Sequence, residues 1–164
     1  MDIDKKEYIC GVLKILGISY ESLLHAPIMT VAEGTGIAEE LGVPPCKNLF
    51  LVNKQKEYFL YLLPGNKKLL AKLLAEQVDS SHLSFASHEE MEQLLLTSPG
   101  AVSILGLIND KENKVQLLID VDVMHMDYIS CHPCVNTCSL RLKTIDILKI
   151  LLPAISHDYY RIVY

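Results

Sequence analysis

The 164-residue sequence contains no apolar stretch near the ~20 residues that a bilayer-spanning helix needs, so no transmembrane segment is expected. It also has no excess of positive charge. Fifteen Lys and Arg stand against twenty Asp and Glu, a formal net charge of −5. That balance argues against broad binding to DNA or to an anionic membrane, although it leaves room for a small basic patch. Low-complexity tracts, internal repeats and linkers are missing too, which leaves one compact domain over 1–164 as the expectation. The composition is not that of a disordered chain, since half the residues are apolar and 21% are charged. The first ten residues are acidic and mixed rather than basic-then-apolar, so no signal peptide is expected and the location reads as cytoplasmic. Common catalytic signatures are absent as well. There is no Gly-x-Ser-x-Gly elbow, no His-Glu-x-x-His and no phosphate-binding Gly-x-x-x-x-Gly-Lys-Ser/Thr. Gly34-Thr35-Gly36 lacks the third glycine and the preceding strand of a dinucleotide loop.

What is present is a clear alternation of element types. Tyr8, Ile9, Val12, Leu13 and Leu16 recur at helical spacing, and Gly17 supplies a stop. A short β-rich run, 18–24, ends at His25-Ala26-Pro27. Thr30 with Glu33 makes a capping box for a helix to about Leu41. Residues 47–52 and 57–63 flank a polar turn and predict a hairpin. Helices follow over 67–78 and 87–96, the second opened by a capping box at Ser87 and Glu90. Extended runs are expected over 101–107 and 115–123, then a helix capped by Thr144 and a last strand over 159–164. Strands joined by tight turns must pair antiparallel. The expected fold is therefore α+β: a curved, barrel-like, mostly antiparallel sheet with helices packed outside.

Two local features invite chemistry. Cys131, His132, Cys134 and Cys138 fall within eight residues, and thiolates with imidazole suit zinc. Yet Cys131 and His132 are adjacent, no second Cys-x-x-Cys exists, and the surroundings do not match a thioredoxin-type helix start. Packing of small apolar thiols is therefore the expected role, ahead of metal or redox chemistry. With five cysteines, free thiols in a reducing compartment are expected. Lys47 is a lone cation between Pro44-Pro45-Cys46 and Leu49-Phe50-Leu51-Val52. It can set a point charge at a cleft mouth or simply guard a sheet edge. His132, before Pro133, is offered to a loop surface; the other histidines show no telling spacing.

In order along the chain stand His25-Ala26-Pro27 with Thr30-Val31, Cys46-Lys47-Asn48-Leu49-Phe50-Leu51 and Leu83-Ser84-Phe85-Ala86-Ser87. Pro99-Gly100-Ala101-Val102-Ser103, Gly106-Leu107-Ile108-Asn109-Asp110, Val115 to Asp120 and His132-Pro133 with Asn136-Thr137 complete the series. Over residues 20 to 152 this series resembles the YbaK/prolyl-tRNA-synthetase-associated editing family, most of all its free-standing prolyl-tRNA deacylase-like members. The resemblance implies a trans-editing hydrolase that cleaves the ester of a mischarged tRNA, typically alanine on proline tRNA. Lys47 falls on that family's functionally central lysine, the residue on which catalysis is expected to depend. Thr30, Asn48, Phe50, Gly100, Ser103 and His132 fall where the substrate is bound. The implied partner is the acceptor 3′ end of an aminoacyl-tRNA, with prolyl-tRNA synthetase as a further partner, and no cofactor or metal is required.

A sparse site suffices for this reaction, because an aminoacyl ester is already activated. A thousand- to hundred-thousand-fold acceleration needs only ~4–7 kcal/mol. Positioning, one ordered water and a few donors supply that. Family members usually carry Gly-x-x-x-Pro where this chain has Gly100-Ala101-Val102-Ser103-Ile104. Isoleucine adds bulk and frees φ, a change that bears on which amino acid is removed. Lys54, Lys56, Lys67, Lys68 and Lys72 read either as a positive rim for the acceptor stem or as an ordinary solvated face. Two other functions compete: a module of the same fold that binds tRNA without turnover, and a metal- or redox-responsive protein using Cys131, Cys134 and Cys138.

Overall fold

The structure is a computed structural model that describes residues 2–28 and 30–164. Its elements run α1 (Asp2–Ile15), β1 (Tyr20–Leu24), α2 (Val31–Leu41), β2 (Cys46–Val52), β3 (Tyr58–Pro64), α3 (Ala71–Gln77), β4 (Ser84–Phe85) and α4 (His88–Leu95). Two 3-10 turns follow, Pro99–Ala101 and Ile104–Asn109. The chain continues through β5 (Val115–Asp120), α5 (Val121–Met124), β6 (Tyr128–Cys131), β7 (Cys138–Lys143), α6 (Thr144–Asp146), a π-helical turn (Ile147–Leu151), α7 (Leu152–Ala154) and β8 (Arg161–Val163). Among the described residues, no helix is long and apolar enough to cross a membrane.

Among the described residues the strands form two sheets and no barrel: three strands in the order β1-β7-β6, and five in the order β4-β2-β3-β5-β8. The small sheet is antiparallel throughout. In the large sheet β2 pairs antiparallel with β3 and β4, whereas β3–β5 and β5–β8 are parallel. The barrel expectation fails because β1, β7 and β6 pair only among themselves, which leaves two open sheets. The mixed pairing of the larger one arises because β3 and β5 are joined by a long crossover rather than a turn. That crossover carries α3, β4, α4 and both 3-10 turns.

Strand alternation explains why the large sheet is so apolar. Phe50, Val52, Leu60, Leu62, Leu117 and Ile119 point into a core shared with the small sheet. Their neighbours Leu51, Phe59, Tyr61, Leu63 and Leu118 point the other way, onto Leu74, Ala75 and Val78 of the α3 region. A strand buried on both faces reads as a continuous hydrophobic run, as β3 does. The small sheet adds Ile129, Cys131, Cys138, Leu140 and Leu142 to the shared core, which α1 closes with Ile9 and Leu13. The outer side of the small sheet is covered by α2, through Ile37, Ala38 and Leu41 against Leu23 and Tyr128.

The expected hairpin forms at 52–58, where Asn53 Oδ1 accepts from the N–H groups of Gln55 and Glu57 at 3.1 and 2.9 Å. The Ser87 capping box has both of its bonds, Glu90 N–H to Ser87 Oγ at 3.1 Å and Ser87 N–H to Glu90 at 2.8 Å. Three expectations are corrected. Residues 101–107 are a buried pair of 3-10 turns rather than a strand. β5 stops at Asp120, whose side chain accepts from Asp122 N–H at 2.9 Å and starts a helix. Lys143, not Thr144, holds the N-cap of the last helix, and Thr144 N–H goes to Asp127 O.

Candidate active site

A cavity of about 80 Å³ opens where β2, the small sheet and α2 meet. Strand β2 supplies Cys46 and Asn48, adjacent on the face that continues into the shared core. The small sheet supplies Cys131 and Ser139, and the chain leaving β6 supplies His132. Gly34, Ile37 and Ala38 from α2, with Ile28 before it, make the apolar wall.

His132 is held by its δ nitrogen. Nδ1 lies 2.9 Å from Cys138 O, an acceptor only, so Nδ1 carries the proton and donates. Ser139 Oγ stands 3.3 Å from the same nitrogen and 2.9 Å from Nε2 of His25. The other nitrogen of His25 lies 2.9 Å from Ala26 O, and the two imidazole rings meet edge-on at 6.0 Å. Burial lowers the His132 pKa from its ordinary value; the Cys138 carbonyl works against that, and the nearby His25 adds to it. A neutral His132 protonated on Nδ1 leaves Nε2 as a lone-pair acceptor, and among the described residues nothing engages it.

Asn48 is its complement. The Oδ1 atom accepts from Ile104 N–H at 3.2 Å, which fixes the amide and leaves Nδ2 as a double donor with no protein partner among the described residues. The cavity thus holds an uncommitted acceptor on His132 and an uncommitted donor on Asn48, with the Ser130 hydroxyl also in its wall and the remaining residues small or apolar. The thiols are quiet: burial pushes Cys46 up to about 11 and Cys131 further still. Cys46 Sγ lies 3.6 Å from Met126 Sδ.

Of the residues singled out in the sequence, Asn48 and His132 reach the cavity wall. Ser103 does not. It is buried, and its hydroxyl donates to the backbone carbonyl of His132, so it anchors the segment that carries the imidazole. Gly100 lies against Asn136, where a β-carbon would come within 2.9 Å of Asn136 Nδ2; the glycine permits that close packing and is not among the wall residues. Ile104 is fully buried and offers its N–H to Asn48, so its side chain does not fill the cavity as its position in the sequence suggested. Phe50 is 1% exposed and stacks on Tyr58 in the core, two strand positions deeper than Asn48. Thr30 is the N-cap of α2, its hydroxyl accepting from Glu33 N–H at 3.2 Å.

Lys47 sits between two wall residues, but strand alternation places it on the opposite face of β2, and it does not line the cavity. It is part-exposed and, among the described residues, its ammonium forms no hydrogen bond or ion pair. Strand β4 pairs with β2 only at Leu51 and Val52, so the edge of β2 beside Lys47 is open. The lysine rim is partly spent: Lys56 pairs with Glu90 at 3.1 Å, and Lys67 with Asp120 and Asp122 at 2.9 and 2.8 Å. Cys131, Cys134 and Cys138 are packing residues in the shared core, and no group of three His, Cys, Asp or Glu is placed to hold a metal ion among the described residues. His25 and Ser139 were missed, because only the pairing of β1 with β7 brings them to His132.

Comparisons with known proteins agree with this architecture. The family model described as the aminoacyl-tRNA editing domain matches residues 25–150. The prolyl-tRNA editing protein ProX of Acetoanaerobium sticklandii is 31% identical over 92% of this chain and 93% of its own length. The prolyl-tRNA synthetase associated domain-containing protein 1 of Danio rerio is 26% identical over 91% of this chain and 82% of its own. A crystal structure described as a candidate trans-editing enzyme for prolyl tRNA synthetase superposes with a TM-score of 0.73 at 15% identity, covering 97% of this chain and 94% of that one. That likeness concerns the fold.

Proposed function

Because this chain belongs to the aminoacyl-tRNA editing domain family, a family of editing deacylases, we propose that it hydrolyses the ester of a mischarged tRNA in trans, with alanyl-tRNA(Pro) as its substrate. The observation that carries this reading is the pairing, in one small cavity, of an uncommitted acceptor on His132 with an uncommitted donor on Asn48.

Ester hydrolysis needs a water whose proton can leave and a carbonyl oxygen whose developing charge is met by donors. Asn48 Nδ2 faces the carbonyl oxygen and strengthens its bond as the tetrahedral oxyanion forms. His132 Nε2 accepts a proton from the attacking water and passes it to the departing 3′-oxygen, assisted by the substrate's own 2′-hydroxyl. The apolar wall of α2 receives the amino-acid side chain. Lys47 acts outside the cavity: its free ammonium on the open edge of β2 holds a phosphate of the tRNA 3′ end. Its contribution is binding and positioning, one residue away from the groups that do the chemistry. Editing by a separate site is useful because a proline pocket rejects a smaller amino acid by only ~1–3 kcal/mol per missing methylene.

The test is deacylation of alanyl-tRNA(Pro), with prolyl-tRNA(Pro) and seryl-tRNA as controls, by wild type and Lys47→Ala. Selective release of alanine is expected. The Lys47 variant should lose roughly 10-fold or more in kcat/KM, and its salt dependence should flatten by ~0.7 in log–log slope, one phosphate contact fewer. Binding of tRNA without hydrolysis of any ester would identify a non-catalytic acceptor-end module instead.

A further inference from the structure

Strand alternation sends Cys138, Leu140 and Leu142 of β7 into the shared core, and Ser139, Arg141 and Lys143 to the outer face of the small sheet. Ser139 belongs to the cavity beside His132. The two cations lie beyond it, at a second hollow of about 150 Å³ that is also bounded by Ser19, Tyr20, Glu21 and Tyr128. The register sets Glu21 opposite Arg141 and Tyr128 opposite Lys143. Arg141 is held from two sides. Its guanidinium carbon lies 3.9 Å from the centre of the Tyr128 ring, and Nη1 donates to Glu21 at 3.3 Å. Tyr128 packs in turn against the α2 cluster, which fixes the ring.

Those contacts leave part of the guanidinium unused. Nε is buried without a hydrogen-bond partner, a state it shares among the described residues with Thr144 Oγ1. A buried donor with no acceptor is costly and marks a place where a partner is missing. With Nη1 given to Glu21, Nε–H and Nη2 form the free edge of the fork, two parallel donors spaced for two oxygens of one anion. A carboxylate spends both of its oxygens on that edge. A phosphate keeps a further oxygen for the ammonium of Lys143, which forms no hydrogen bond or ion pair among the described residues. Two cations and one carboxylate leave the hollow at +1, on a chain of formal net charge −5. We infer that the Arg141 hollow is a phosphate-binding site, separate from the cavity at His132 and unused by the proposed reaction. Its ligand is a phosphate group, carried by a free nucleotide-like monoester or by the backbone of a tRNA.

The chain has two arginines, Arg141 and Arg161, so an arginine Nε–H correlation spectrum holds two cross peaks. Arg161, whose Nη1 donates to Gln77 O, is the internal control. Inorganic phosphate is titrated in, against acetate and chloride at matched ionic strength. The Arg141 peak should move saturably with phosphate, with an apparent Kd of about 1 mM or lower, while the Arg161 peak stays. By calorimetry, Arg141→Lys keeps the charge but loses the fork, and should bind phosphate roughly 10-fold or more weakly. Glu21→Gln alters a side chain that is 70% exposed and removes the competing carboxylate, so binding should tighten by about 2- to 5-fold. Equal movement of both peaks, an equal response to acetate, or no tightening in Glu21→Gln would each overturn the site. Adenosine 5′-monophosphate and uncharged tRNA(Pro) then distinguish the sources. A tRNA affinity that falls in Arg141→Lys and rises in Glu21→Gln assigns the phosphate to the tRNA backbone. The same shifts confined to the mononucleotide assign it to a free monoester. If neither probe responds to the variants, the hollow takes no phosphate ester and the inference fails.

Discussion

On one side of the five-stranded sheet, the cavity against Asn48 and His132 measures about 80 Å³; on the other, a groove bounded by Tyr61, Lys67, Leu70, Leu73 and Asp120 measures about 290 Å³. By size alone the groove is the better candidate, yet, Lys68 on its wall apart, its charged groups answer one another. Lys67 Nζ lies 2.9 and 3.1 Å from the two oxygens of Asp120, and the Tyr61 hydroxyl lies 3.4 Å from the same carboxylate. Asp120 further caps α5. Nothing in that cluster is left to greet a ligand, and its bonds serve to hold β3, β5 and α5 together. In the small cavity the internal hydrogen bonds do the opposite work. Those of His132 and Asn48 each use one end of the group and aim the other end into empty space. Chemical competence follows from what remains unpaired, not from volume.

The largest effects that sharpen this contrast are on activity at the small cavity. Asn48→Ala removes the donor that the proposed reaction offers to the oxyanion, and loss of one such donor costs ~10²–10³ in kcat, about 2.7–4 kcal/mol. His132→Ala should cost ~10²-fold or more, the range of a positioned base. Single-turnover deacylation checks both. Thermal melts separate the outcome from misfolding, since the N–H of Ile104 left without its acceptor costs only ~1–3 kcal/mol. Full activity in both variants would erase the distinction drawn between the two sides of the sheet.

Asp120→Ala should behave in reverse. It deletes a helix cap and charge-assisted bonds around a carboxylate that is 2% exposed. A loss of ~2–4 kcal/mol in denaturant unfolding is expected, with kcat/KM per folded molecule unchanged. A variant as stable as wild type but slow on aminoacyl ester would reverse the comparison and make the groove the active site.

Part of this arrangement was legible in the sequence because it is local. The run Cys46–Leu51 carries both the polar Asn48 and the apolar alternation that buries its neighbours. Phe50, however, was expected at the substrate, although side chains two positions apart on one strand face share a direction and not a depth. The stretch 101–107 was expected to be a strand because a short apolar run has the same composition whether extended or coiled into buried 3-10 turns. Parallel pairing of β3 with β5 left no local trace either, since strands buried on both faces lack the alternation that marks an exposed antiparallel edge. His25 and Ser139 stand 114 residues apart and meet only through the register Leu23 to Ser139, which no spacing rule encodes. The one signal was the break at His25-Ala26-Pro27, which marks where β1 ends and the chain turns toward α2.

That long-range pair supports the smallest effect, and it tests why His132 is a neutral acceptor at all. Burial is the main cause of its lowered pKa, and the positive charge that His25 can carry is a secondary one. Activity that depends on a free Nε2 must therefore fall as pH drops through a value below that of an ordinary histidine, so the acid limb of kcat/KM lies under ~6.5. The same sign governs stability. A folded-state pKa below the unfolded one gives a contribution present above ~6.5 and lost as pH falls through the folded value. His25→Ala removes the like charge and lets water closer to Ser139. Both changes move the acid limb up toward the ordinary value while leaving the plateau at neutral pH nearly unaltered, because Cys138 O still fixes the tautomer. A limb that stays put would assign the shift to burial alone. A collapse of the plateau instead would make His25 part of the reaction and not a tuning neighbour.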